Sequence, residues 1–368
     1  MASMNQVLQR DTFTRPTRHW HALPDGRVQC DLCPRHCRLR PGQRGFCFVR
    51  ANLEDQVVLT TYGRSSGFCI DPIEKKPLFH FLPGTPVLSF GTAGCNLACR
   101  FCQNWDISKS RDLDILADAA SPGAIARAAE ASGCRSVAFT YNDPVIFQEY
   151  ATDVAEACRE RGLRTVAVTA GYISPGAREE FFSGMDAANV DLKAFSERFY
   201  RKLTGARLGP VLDNLVWLAR ETKVWLEITT LLVPGENDSE PEITAMCEWI
   251  LENLGPSVPI HFTAFHPDYR MLHHPRTPLA TLQRARRIAL RTGIHHAYTG
   301  NARDPDGQST FCPGCGNCVI GRDGYTLNDW HLDREGRCRS CKKQLPGRLE
   351  SGPGNWGSKR QGVRIGTY

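Results

Sequence analysis

Three cysteines stand at C-x3-C-x2-C spacing in the stretch GTAGCNLACRFCQNWD, residues 91–106. Thiolates are soft ligands, suited to zinc or to iron–sulfur clusters. Four of them close a structural zinc site, whereas three leave one metal position open for chemistry. On a [4Fe–4S] cluster, Cys95, Cys99 and Cys102 would leave one iron free to take a substrate or cofactor. The competing reading is a zinc knot whose fourth ligand lies elsewhere in the chain.

Two further cysteine groups flank this one. Cys30, Cys33, Cys37 and Cys47 supply four thiolates, enough for structural zinc or for a second iron–sulfur cluster, and their spacing does not separate the two. His36 lies among them and reads as a spectator. Cys312-x2-Cys315 and Cys338-x2-Cys341 form two knuckles around the turn segment GRDGY (321–325), the pattern of a zinc ribbon. Cys69, Cys134, Cys158 and Cys247 stand apart and read as small apolar residues.

The elements that must position these groups follow from periodicity. Apolar runs at 86–90, 136–141, 164–170, 188–194, 224–235, 259–265 and 295–300 are nearly continuous, as strands buried on both faces should be. Helical patterns between them begin at Ser121-Pro122, Asp143-Pro144, Ser239 and Thr277-Pro278, and stop at Gly133, Gly162, Gly255 and Gly293. This alternation predicts an α/β fold, a partial or near-complete TIM-like (β/α) barrel, with the three-cysteine loop at the C-terminal mouth where barrel chemistry collects. The expected organisation is a poorly ordered leader (1–20), a cysteine-rich N-terminal module and lead-in (21–85), the barrel (86–305), a zinc-ribbon-like module (306–346) and a basic flexible tail (347–368). In the lead-in, DPIEKKPLFHFLPG offers Glu74, Lys75, Lys76 and His80 either to a loop packed on the barrel or to the site itself.

With Phe101 before its last cysteine, the motif resembles that of radical S-adenosylmethionine (SAM) enzymes. The resemblance implies that Cys95, Cys99 and Cys102 hold a catalytic [4Fe–4S] cluster, that SAM fills the open iron through its amino and carboxylate groups, and that a 5′-deoxyadenosyl radical follows. It implies polar SAM contacts at successive strand ends: Asn142 and Asp143 in TYNDP, Asp191 and Lys193 in VDLKAF, and His266 in FHPDY, with Phe101 beside the cluster. VQCDLCPRHCRLRPGQRGFC (28–47), the lead-in, YTGN (298–301) and the C-terminal cysteine pairs extend the likeness to the AmmeMemoRadiSam system radical SAM enzymes, relatives of pyruvate formate-lyase activating enzymes. That likeness implies Memo-like and AMMECR-like partners and a flavodoxin- or ferredoxin-like electron donor. It names no substrate. Asp143 stands where the family usually has Glu, and Ala170 where it commonly has Asn; Cys318 and the long basic tail are also atypical.

Composition narrows the rest. The chain of 368 residues is 41% hydrophobic and 23% charged, an ordinary globular balance. No apolar run reaches the ~18–20 residues of a bilayer span, and the start has no apolar signal core, so the cytoplasm is expected. Much of the net charge of +6 sits after residue 341, where six basic residues face Glu350 alone. That concentration argues against a nucleic-acid surface on the barrel. The competing functions are a glycyl-radical-enzyme activase and, from another class, a non-catalytic multi-zinc protein that binds RNA or protein.

Overall fold

The computed structural model describes residues 9–111 and 118–367. Seven parallel strands form its centre: β1 (Pro86–Gly91), β2 (Ser136–Phe139), β3 (Arg164–Thr169), β4 (Ala187–Asp191), β5 (Trp225–Leu232), β6 (Ile260–Ala264) and β7 (Ala297–Gly300). Each pairs with the next in chain order, as βαβ units with short connections require. Beyond β1 the sheet continues through the antiparallel strand Arg64–Pro72 to Gln361–Gly362, and β7 ends the other side. The sheet is therefore an open, partial barrel.

The connecting helices are α1 (Pro122–Ala131), α2 (Gln148–Arg159), α3 (Pro175–Ser183), α4 (Gly209–Glu221), α5 (Glu240–Leu254) and α6 (Leu279–Thr292). Ser121 and Ser239 cap α1 and α5 by accepting Ala124 N–H and Glu242 N–H. The helix expected from Pro144 begins with a tighter turn, Pro144–Phe147, because the Asp143 carboxylate accepts Val145 N–H two residues on. Phe90, Phe139, Phe147 and Tyr150 interlock between β1, β2 and α2, with Phe90 and Phe139 edge to face at 5.6 Å. Among the described residues no helix is long and apolar enough to cross a membrane.

The lead-in closes the bottom of the barrel. Leu78 and Phe81 pack against Val87, Ala138, Val166 and Ala187 of β1 to β4. Phe79 and His80 donate their backbone N–H groups to the buried Glu227 carboxylate on β5 (3.0 and 2.8 Å), which also meets His261 on β6 (2.7 Å). Arg322, 1% exposed, donates to the Phe79 carbonyl at 2.7 Å and stands 3.9 Å from Glu74. Buried charges this costly to desolvate persist because every one has a partner.

Two expectations need correction. Of the expected leader, residues 1–8 lie outside the described residues, and the following stretch is held in place: Arg15–Pro16 pairs with Val58 and Leu59, and Thr17 N–H reaches the Val57 carbonyl. The tail is anchored at defined points as well. Its Gly354 backbone lies so close to Gly84 that a Cβ would stand 2.3 Å from the Gly84 carbonyl oxygen, Gln361 and Gly362 pair with the sheet edge, and Ile365 is 1% exposed. The basic composition hid an apolar anchor and a strand that covers an otherwise open edge.

Candidate functional site

The loop after β1 carries the three cysteines, and its path is set by contacts on both sides. Gly91 faces the end of β2, where a Cβ would lie 2.5 Å from the Thr140 carbonyl oxygen. Asn142 then holds the loop: its Oδ1 accepts Thr92 N–H at 3.2 Å and its Nδ2 donates to the Gly94 carbonyl at 2.8 Å. Ala98 and Arg100 donate N–H bonds to the Thr204 and Leu203 carbonyls, and Lys109 Nζ binds the Leu97 carbonyl at 2.8 Å. The loop is thus a fixed platform.

Cys95, Cys99 and Cys102 line one cavity of about 360 Å³ at the C-terminal ends of the strands. Residues from the ends of β2 through β6, and Asn301 just after β7, line the same space, so the open sheet curls around it. Asn142, Asp143, Asp191, Lys193 and Phe101 are all in its wall. Asp143 is buried, which pushes its carboxyl up to about 6 against hydrogen bonds from Thr169 Oγ1 and the N–H groups of Val145 and Ala170. Ala170 therefore serves Asp143 through its backbone. Lys193 Nζ pairs with Asp191 at 2.8 Å and stands 5.9 Å from the Phe101 ring centroid. Burial opposes its charge, but the Asp191 carboxylate and the Cys99 sulfur more than offset this and raise its pKa.

The donor set fits a metal cluster. Burial pushes the Cys99 thiol up to about 12, with Lys193 and Lys109 pulling the other way. Burial raises Cys95 as well, and a bound cation would ionise both thiols. Among the described residues, no carboxylate or imidazole joins the three to make a compact one-ion site.

The radical SAM superfamily matches residues 90–247 of this sequence. An uncharacterized protein of Methanocaldococcus jannaschii is 37% identical over 332 residues, covering 90% of this chain and 98% of that relative. The chain belongs to the radical SAM superfamily. A pyruvate formate-lyase-activating enzyme of Clostridium pasteurianum is 25% identical over 177 residues, 47% of this chain and 72% of the relative. A choline trimethylamine-lyase activating enzyme of Oleidesulfovibrio alaskensis is 30% identical over 102 residues, 28% of this chain and only 33% of the relative. This radical SAM protein is thus an enzyme homologous to glycyl-radical-enzyme activases, and its membership implies a [4Fe–4S] cluster and SAM.

The remaining expected site residues of this radical SAM enzyme divide. His266 is outside the cavity wall; its Nδ1 accepts from Gln103 Nε2 at 2.7 Å, and Gln103 is in the wall. Of the lead-in residues, Lys75 and Lys76 reach the cavity, both paired with Asp71 at 2.8 Å, while Glu74 and His80 belong to the bottom network. Burial lowers His80 to about 4 and, against the pull of Arg322, raises Glu74 to about 7. Cys312, Cys315, Cys338 and Cys341 bring four sulfurs within 4.8 Å of one another, with pairs at 3.4 and 3.7 Å. Cys30, Cys33, Cys37 and Cys47 line a separate cavity with Arg50 and Asn96.

Reading the sequence missed Lys109, Thr229, Thr263 and Tyr325 in the wall. Thr229 and Thr263 sat inside strands already noted, and the alternation of strand faces was the available signal. Tyr325 had none: it belongs to the ribbon hairpin, and only the docking of that hairpin on the barrel brings it to the cavity.

Proposed function

We propose that Cys95, Cys99 and Cys102 hold the [4Fe–4S] cluster of a SAM-cleaving enzyme that abstracts hydrogen from a substrate still to be identified. The observation that carries this is the convergence of the three thiols and the strand-end residues Asp143, Asp191 and Lys193 on one cavity. When bound, cluster and SAM supply an electron and a carbon-centred radical. The chain's own residues do the rest. Lys193, kept charged by Asp191, places a fixed cation beside Cys99 and offsets the negative charge that three thiolates bring. Asn142 and Lys109 hold the loop in one path, and Phe101 and Phe199 pack behind it at 5.6 Å. The lead-in plug below and the ribbon hairpin at Tyr325 limit water in the space.

The same reading includes Zn2+ at Cys312, Cys315, Cys338 and Cys341, whose spacing matches the ~3.8 Å separation of thiolates around one zinc ion. It places the enzyme in the cytoplasm, with a flavodoxin- or ferredoxin-like electron donor, within the AmmeMemoRadiSam group and alongside Memo-like and AMMECR-like proteins. A glycyl-radical-activase role is the second reading, favoured by the names of the curated relatives. The test is anaerobic: reconstituted protein is mixed with SAM and dithionite, and 5′-deoxyadenosine is followed by chromatography. Product from the wild type and none from Cys99→Ala is expected; equal product from both overturns the assignment.

A further inference from the structure

The three cysteine groups of this chain differ in one measurable way. Four thiolates around a single zinc ion at ~2.3 Å stand ~3.8 Å apart. The C-terminal quartet has that spacing, with all four sulfurs within 4.8 Å. Among the described residues it is the one group of three or more Cys, His, Asp or Glu so compact. Cys30, Cys33, Cys37 and Cys47 are therefore spread more widely, yet all four line one cavity. The catalytic triad shares this spread around its own cavity. Thiolates stand apart in this way when each binds a different iron of a cluster.

The two cavities also share a wall. Asn96 lines the quartet's cavity, and its chain neighbour Cys95 lines the catalytic one. Gly94 meets Cys47 so closely that a Cβ would stand 2.0 Å from the Cys47 carbonyl oxygen. Arg35, two residues after Cys33, donates its Nε to the Asn96 carbonyl and its Nη2 to the Gly205 carbonyl at 2.8 Å. A lone structural ion pinning the N-terminal segment would not require wide thiols, a shared cavity and this contact with the catalytic loop together. We infer that Cys30, Cys33, Cys37 and Cys47 hold a second [4Fe–4S] cluster directly beside the catalytic one. The assignment of this cluster stands independently of SAM chemistry at the first.

The test compares three full-length proteins, each reconstituted anaerobically with iron and sulfide and desalted: wild type, the Cys95→Ala/Cys99→Ala/Cys102→Ala variant, and the Cys33→Ala/Cys37→Ala variant. Iron, sulfide and zinc are counted, and the dithionite-reduced proteins are read by electron paramagnetic resonance with and without SAM. The wild type should hold about eight irons and about one zinc, and each variant about four irons. The triple variant leaves the quartet untouched, so its remaining signal should be cluster-like and insensitive to SAM. A triple variant that keeps the wild-type circular dichroism but carries no iron and about two zinc ions overturns the inference. If the wild-type signals ignore SAM while the triple variant still holds about four irons, the quartet cluster stands and the SAM-cleaving reading fails.

Discussion

Replacing Asn142 with alanine should release the cysteine loop. Asn142 is 6% exposed, and the two shortest bonds of its side chain to that loop are one from Thr92 N–H at 3.2 Å and one to the Gly94 carbonyl at 2.8 Å. Each lost bond removes about 1 kcal/mol, and leaving a buried partner unsatisfied raises the cost to about 1–3 kcal/mol per group. Two groups give a local penalty of about 2–6 kcal/mol. At 1.4 kcal/mol per decade, amides that exchange by local opening should do so about 30- to 20,000-fold faster. The assay is hydrogen exchange on iron-free protein, followed at residues 92–98, with α5 as the internal control. The expected result is faster exchange in the loop and no change in α5. Wild-type exchange across 92–98 would refute the clamp and return Asn142 to the role of a ligand contact.

Other variants test other joints. Gly94→Ala should lower the melting temperature and the iron content together, because the position has φ +79° and the new methyl would overlap the Cys47 carbonyl. Gly26→Ala has the same backbone angle but open space, so it should cost only the left-handed strain of roughly 1–2 kcal/mol and leave iron unchanged. Glu74, raised by burial to about 7, is protonated in the folded state and ionised in the unfolded state between pH 4.5 and 7, so its penalty grows as pH rises through that window. Glu74→Gln should therefore gain about 2.5 kcal/mol relative to wild type between pH 5 and pH 8, read from unfolding at both values; a pH-independent difference would contradict the buried acid. Ile365→Ala should cost about 2–4 kcal/mol in unfolding of the full chain, whereas a free tail would give no change.

The strands were legible because a parallel sheet covered on both faces leaves uninterrupted apolar runs, and all seven lie where those runs fall. Four of the expected helices carried a Ser, Asp or Thr start with a proline one or two residues on, and glycine stops. Helix α3 carries the same signals, Ser174-Pro175 and Gly184, whereas α4 carries neither, opening on Gly209-Pro210 and ending before Thr222. The cysteine motif was legible at once, since few roles other than metal binding explain soft ligands at fixed spacing. Asn142 lies at the mouth, but spacing cannot reveal that its amide is already used by Thr92 and Gly94. The bottom network was hidden for a similar reason. Glu74, His80, Glu227, His261 and Arg322 come from distant segments, and only the plug of the lead-in makes them neighbours. The tail misled because its basic residues outweigh one buried isoleucine in composition, while that isoleucine decides the packing.

Electron–nuclear double resonance on the reduced protein reads the open iron at the mouth of the barrel. The protein is reconstituted anaerobically and mixed with SAM carrying nitrogen-15 in its amino group. A nitrogen-15 coupling to a cluster is expected in the wild type and lost in Cys102→Ala. A reduced, iron-loaded protein that binds SAM without such a coupling would contradict the open iron.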